Sequence, residues 1–279
     1  KDLTLDTTFN TTGYVTISGK INVSSLFIDS NNNIYVAGGT STSWLRVYTN
    51  AGAVLPGWVN PTQNLSNGAF QVATQSNSRI ILAGKNTNGV LYGYTPKGVL
   101  DNSFGVGGVV DMGSTLPITD FTIDANNNII TVANNGGTVV LQKVSASGLT
   151  VTNISGNGTA IATAALGSEI KVVLDASGNI VVAAATATGY ILSRYTNNNS
   201  GGASGVDSAG PITIVAATPI LANIYATSDG KITLLGYTSS GSIIVARLTS
   251  AFALDTTAFN AAGIQPGVIT TTAGALNVV

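Results

Sequence analysis

Short apolar runs alternate with clusters of Asn, Asp, Gly and Ser along the whole chain, and no stretch carries apolar residues at helical spacing. The clearest unit starts at Ser25-Leu26-Phe27-Ile28, crosses Asp29-Ser30-Asn31-Asn32-Asn33, resumes at Ile34-Tyr35-Val36-Ala37-Gly38-Gly39 and continues at Trp44-Leu45-Arg46-Val47-Tyr48. It predicts strand, Asn-rich turn, strand, Gly-containing turn, strand.

The unit recurs four more times. Aligned on the isoleucine after the first turn, the repeats stand at Ile34, Ile80, Ile129, Ile180 and Ile232, separated by 46, 49, 51 and 52 residues. The five residues before each marker are turn formers, because Asx side chains bond nearby backbone and Gly or Asn tolerates positive φ. A second set of turns, at Asn88-Gly89, Asn135-Gly136-Gly137, Thr188-Gly189 and Ser240-Gly241, joins the second and third strands. Stretches such as Leu100 to Met112 supply a fourth, outer strand. Four-stranded antiparallel units of this length predict an all-β chain, a β-propeller of about five blades. The repeats run near 21–65, 66–115, 116–165, 166–215 and 216–274 of a single domain spanning 1–279.

Outer-strand stretches number six, at residues 5 to 18 and near 57, 109, 151 to 163, 212 and 268, against five three-stranded units. One is spare, and residues 1–20 are expected to act as a terminal closing or exchanged strand. An unpaired strand edge recruits partners. The expected assembly residues are therefore Leu5, Phe9, Tyr14, Val15 and Ile17 at one end and Val268, Ile269, Leu276 and Val278 at the other.

Composition narrows the chemistry. The chain has 279 residues, 44% hydrophobic and 8% charged, with a formal net charge of −1 and no Lys/Arg run, which argues against nucleic acid. It contains no Cys and no His, so thiolate chemistry, disulfides and imidazole bases are excluded. No window approaches the ~20 apolar residues of a membrane helix. A first residue of Lys1 rather than Met, with a surface rich in Thr and Asn, suggests a secreted or cell-surface protein whose signal has been removed.

The Asn/Asp/Gly turn, the Arg-Tyr strand end and the Leu-Asp-Thr/Asn-Ser/Thr-Phe stretch followed by Gly-Gly-Val-Val together resemble the delta-60 repeat of bacterial secreted and surface proteins. Arg194-Tyr195, Arg247-Leu248, Lys143-Val144 and Leu100 to Gly105 carry the likeness, while the first and third repeats depart from it in their connections and the second has Gly93 where the Arg would stand. The resemblance implies a β-propeller and an extracellular setting, and it brings no catalytic residues.

Candidate sites are few. The turns at Asp29 and Asp124 resemble the opening of a calcium loop but lack its glycine at the sixth position and acid at the twelfth, so hairpin turns are the simpler reading and no metal or cofactor is expected. Nine residues before each marker stand Ser25, Gln71, Asp120, Lys171 and Asn223, five polar residues that could bind a small ligand along the inner strands or simply be solvated there. The sole Glu, Glu169, offers one carboxylate pair with Asp120, and catalysis is not expected. Six Asn-x-Ser/Thr triplets begin at Asn10, Asn22, Asn64, Asn153, Asn157 and Asn198, and Trp44 and Trp58 could stack on sugars. The expectation is a non-enzymatic structural protein assembling head to tail into a filament or surface layer, with copies of itself or other surface proteins as partners. The alternative is a lectin-like propeller that binds glycans.

Overall fold

A computed structural model describes residues 4–19, 22–39, 42–63, 69–85, 87–113, 117–153, 169–197, 212–216, 218–263 and 265–271. Strands β1 (Val23–Ile28), β2 (Ile34–Gly39), β3 (Ser43–Tyr48) and β4 (Thr62–Gln63) form the first antiparallel sheet, followed by β5 (Ala69–Thr74), β6 (Ile80–Lys85), β7 (Gly89–Tyr94) and β8 (Val109–Asp111) in the second. The third holds β9 (Ile118–Ile123), β10 (Ile129–Asn135), β11 (Thr138–Val144) and β12 (Val151–Asn153), and the fourth β13 (Ile170–Leu174), β14 (Ile180–Thr186), β15 (Gly189–Tyr195) and β16 (Ile212–Val215). The fifth comprises β17 (Pro219–Ala226), β18 (Ile232–Thr238), β19 (Ile243–Leu248) and β20 (Val268–Thr270). Each is a four-stranded meander, the blade of a β-propeller. Among the described residues, 5 to 18 join no strand ladder, and the first blade's outer strand lies a few residues beyond the expected position near 57.

One turn geometry explains the spacing of the first two strands in every blade. The residue two before the marker adopts left-handed φ throughout, at Asn32, Ser78, Asn127, Gly178 and Gly230. In four blades its N–H donates to the carbonyl three residues earlier, as Asn32 to Asp29 at 3.0 Å and Gly230 to Thr227 at 2.9 Å. This three-residue hairpin needs one left-handed residue, hence the Asn and Gly. A third family of turns follows the third strand at Thr49–Gly52, Thr95–Gly98, Ser145–Gly148 and Thr249–Phe252, closed by the same N–H to carbonyl bond three residues apart. Sequence reading passed over these, although Thr/Ser-x-x-Gly recurs in three of them.

Contacts group the chain into two units: residues 1–118 with 126–128 and 144–151, and the remainder. In the first, Tyr35, Ala37, Leu45 and Val47 of the first blade pack on Ala69 and Val72 of β5. In the second, Ile130 and Val132 pack on Ile170 and Val172 of β13, and Val181 and Ala183 on Leu221 and Ile224 of β17. In these three cases residues one and three past the marker on one blade's second strand cover the inner strand of the next.

Candidate functional site: the uncovered face of the first blade

The first blade breaks this rule on its leading side. The inner-strand pairs Ala69 and Val72, Ile118 and Phe121, Ile170 and Val172, and Leu221 and Ile224 are all at most 2% exposed. The matching Val23 and Leu26 on β1 are 66% and 63% exposed, with Ile28 beside them at 54%. Isolated apolar surface residues need no explanation, but a row whose four repeat counterparts are buried does. On the fifth blade the covering positions are likewise incompletely buried: Thr233 and Leu235 are half-buried and Tyr237 is 44% exposed, whereas their counterparts Tyr35, Ala37, Ile81, Ala83, Ile130, Val132, Val181 and Ala183 are buried.

The segment before β1 is built as the connection of a preceding blade. Thr8 donates its N–H and its hydroxyl to Asp6 Oδ1, as Ser103 does to Asp101 Oδ1. Asn10 N–H reaches Ala51 O of the first blade's third turn at 2.8 Å, as Gly105 N–H reaches Ser147 O of the third blade's at 2.8 Å. Phe9 and Asn10 crowd Gly52 as Phe104 and Gly105 crowd Gly148. By this alignment Tyr14 to Ile17 match Val109 to Met112, the stretch containing β8. They alternate in burial, with Val15 and Ile17 packed on Val36, Trp44 and Tyr48 while Tyr14 is 57% exposed, yet they join no ladder. Asp101 is met by Arg79 Nε at 2.7 Å, whereas among the described residues no cation reaches Asp6.

The other predicted assembly residues divide. Leu5 is exposed and Phe9 half-buried; Val268 is buried opposite Ala246 within its own blade, and Ile269 pairs with Val245. The outer position of the fifth blade is therefore already filled by β20. Leu276 and Val278 lie outside the described residues.

Of the five polar inner-strand positions, Ser25, Asp120 and Asn223 accept main-chain N–H groups. Ser25 Oγ accepts the Val72 N–H of the next blade at 3.2 Å, and Asp120 Oδ2 accepts the equivalent Val172 N–H at 2.8 Å. A β-bulge precedes the polar residue at Ser25, Gln71 and Asn223. It re-aims that side chain relative to the apolar residues on either side. Asn223 Oδ1 accepts the N–H of Ile224, Gln71 is half-buried, and Lys171 lies 3.7 Å from Glu169. Asp120 is buried on a main-chain amide, and Glu169 lies 3.7 Å from Lys171. Replacing Asp120 with Ala is expected to cost about 1–3 kcal/mol, the penalty of a buried N–H without a partner, read as a lower urea midpoint.

The turn aspartates are committed as well. Asp29 Oδ1 accepts the N–H groups of Asn31 and Asn33, and Oδ2 accepts from Asn33 Nδ2 and the Tyr35 hydroxyl. Burial works to raise its pKa, and these bonds more than offset that and hold it below the ordinary 3.8. Asp101 is lowered chiefly by the Ser103 hydroxyl, with Arg79 adding to it. Asp255 is lowered because the Ala258 N–H and Arg247 outweigh its desolvation. A depressed folded-state pKa gives stability that is complete above the unfolded value and is lost as pH falls through the folded one. Desolvation raises the phenol of Tyr190 to about 12, so its share is complete below the ordinary value of 10 and is lost as pH rises above it. With no His or Cys, the urea midpoint is expected to be flat from about pH 5 to 9 and to fall on both sides. A step near pH 6 to 7 would contradict this assignment.

Trp44 is buried, and Trp58 is half-buried with its Nε1 shielded and without a hydrogen-bond partner. Neither offers the exposed indole face expected of a sugar platform. Of the Asn-x-Ser/Thr positions, Asn10 and Asn22 are exposed, and Asn64, Asn157 and Asn198 lie outside the described residues.

No family model matches the chain, and no curated protein does. Solved structures do. A protein of unknown function from Bacteroides caccae aligns with 86% of this chain and 82% of its own at 11% identity, TM-score 0.56. Virginiamycin B lyase from Staphylococcus aureus aligns over 91% and 85% at 11% identity, TM-score 0.54. The Dos1 propeller aligns over 82% of this chain and 56% of its own at 12% identity, TM-score 0.52. The fold is that of a β-propeller. At such identities the likeness speaks of fold alone, since propellers host unrelated functions.

Proposed function

We propose that this chain is a non-enzymatic, extracellular structural propeller that assembles head to tail. Residues 4–17 and the Val23–Leu26–Ile28 face of β1 receive three strands from a neighbouring copy. The carrying observation is Leu26 at 63% exposed where its four counterparts are at most 2%. Residues 14–17 would become the outer strand of the completed blade by taking the place of β20 on the edge of the incoming β19, a strand exchange that is a form of β-augmentation. A contact that uses different surfaces on its two sides is heterologous, and it propagates into a filament or layer unless the rotation closes. The low charge and the Thr/Asn-rich surface fit an extracellular setting. Disulfide crosslinking of a Leu26→Cys and Tyr237→Cys mixture tests the contact, since each chain then carries one thiol. Crosslinked dimers between the two variants are expected, and monomers alone would contradict the reading.

A further inference from the structure

Each blade from the second to the fifth pairs an acid with a cation near the end of its third strand, and three of these cations reach on to the following blade, two of them to a main-chain carbonyl. Arg79 binds Asp101 and donates to Ala146 O of the third blade at 3.0 Å. Arg194 lies 3.5 Å from Asp175 and donates to Ser250 O of the fifth blade at 3.2 Å, with its guanidinium over Phe252. Ala146 and Ser250 are matching positions, the second residue after the third strand. In both clamps a guanidinium meets a main-chain carbonyl, a pair that cannot react.

The third blade changes both partners at once. Its cation is Lys143, 3.2 Å from Asp124 Oδ2, and the matching position on the fourth blade presents the carboxamide of Asn197. Lys143 Nζ donates to Asn197 Oδ1 at 2.8 Å, and Asn197 Nδ2 lies 3.4 Å from the same Asp124 oxygen. The Lys143 and Asp124 side chains are only 9% and 3% exposed. A primary amine, a carboxamide and a carboxylate thus touch one another in a largely dry site.

We propose that Lys143 and Asn197 condense into an intramolecular amide, with Asp124 as the proton relay. Nζ passes one proton to Asp124 Oδ2, and the neutral amine attacks Cγ of Asn197 after the carboxamide turns about its Cβ–Cγ bond. The carbonyl electron pair moves to Oδ1, beside the protonated Asp124. Collapse restores the C=O bond and breaks Cγ–Nδ2, and Nδ2 departs with protons relayed from Nζ through Asp124. The balance is one ammonium side chain plus one carboxamide giving one secondary amide and one ammonium ion, with no oxidant or other reactant required. Lysine is a competent nucleophile once neutral, and fixed proximity replaces an otherwise slow encounter of amine with amide. The product staples the third blade to the fourth and closes a loop whose ends are 54 residues apart, in a chain that has no cysteine for the purpose. A cross-link of that span constrains the unfolded chain.

Intact-mass spectrometry of the full chain, followed by peptide mapping, tests the proposal. The wild type is expected to be lighter than its sequence by one ammonia and to yield a branched peptide joining Lys143 to Asn197. Lys143→Arg restores the clamp of the neighbouring blades and is expected to fold with its full sequence mass, as is Asp124→Asn. A wild type of full mass would overturn the proposal. So would a loss of ammonia that persists in Lys143→Arg, since that would come from succinimide formation at a site such as Asn88-Gly89.

Discussion

Replacing Phe121 with Ala is expected to destabilise the isolated chain by about 3–5 kcal/mol, the cost of emptying a fully buried aromatic site. The matching change Leu26→Ala is expected to cost within about 0.5 kcal/mol, because a surface side chain leaves no cavity behind. Both residues stand eight positions before their markers on inner strands, and they differ in cover: 2% against 63% exposed. Urea titration of each variant measures the contrast. If Leu26→Ala were as costly as Phe121→Ala in a dilute monomer, the leading face of the first blade would be covered within the chain, and the basis for assembly would disappear.

Arg79→Ala is expected to cost about 1–3 kcal/mol, because it removes the charge-assisted bonds that Arg79 makes to Asp101, Gln75 and the Ala146 carbonyl, while Asp101 keeps those from Ser103. Arg79 is the second blade's replacement for a missing residue. In the fifth blade the cation comes from β19, where Arg247 lies opposite Thr233, binds Asp255 at 2.7 Å and sits over Phe259. The matching residue on β7 is Gly93, opposite Ile81, and a Cβ there would stand 2.6 Å from the ring of Phe104. The guanidinium enters from the turn instead. Arg79 binds Asp101 at 2.7 Å, donates to Ser103 Oγ and lies over Phe104. Gly93→Ala, which overpacks that ring, is expected to cost about 1–3 kcal/mol. A neutral result for Arg79→Ala by chemical denaturation would show that this cluster does not hold the blade together.

The same swap shows what the sequence could and could not tell. The strands and the first two turn families were legible, because each depends on local residues: alternating apolar positions and a left-handed Asn, Ser or Gly at a fixed place. Gly93 read as a departure from the repeat, since nothing local indicates that the residue before the same blade's marker, Arg79, supplies the cation. Acids shift in the same way. The first, third and fourth blades hold theirs in the first turn, at Asp29, Asp124 and Asp175, and the second and fifth hold it in the connection, at Asp101 and Asp255. In the first blade the Tyr35 hydroxyl stands in for the cation.

The polar inner-strand positions read as a ligand site because five polar residues at one repeat position invite it. That Ser25 and Asp120 accept main-chain N–H groups from the following blade depends on how neighbouring sheets dock, which a single sequence does not display. The spare outer strand was legible by counting. The bare face beside it was not, because Leu26 looks like Val72, Phe121, Val172 and Ile224 in every respect but cover.

On the proposed reading, a second copy completes the first blade's leading face and the segment before it. Electron microscopy of the native protein, with light scattering of the purified chain beside a Leu26→Asp variant, tests it most directly. The wild type is expected to form filaments or sheets with a repeat of one propeller, and Leu26→Asp to remain as folded single particles. Native protein that exists only as monomeric rings, with scattering unchanged by Leu26→Asp, would contradict it.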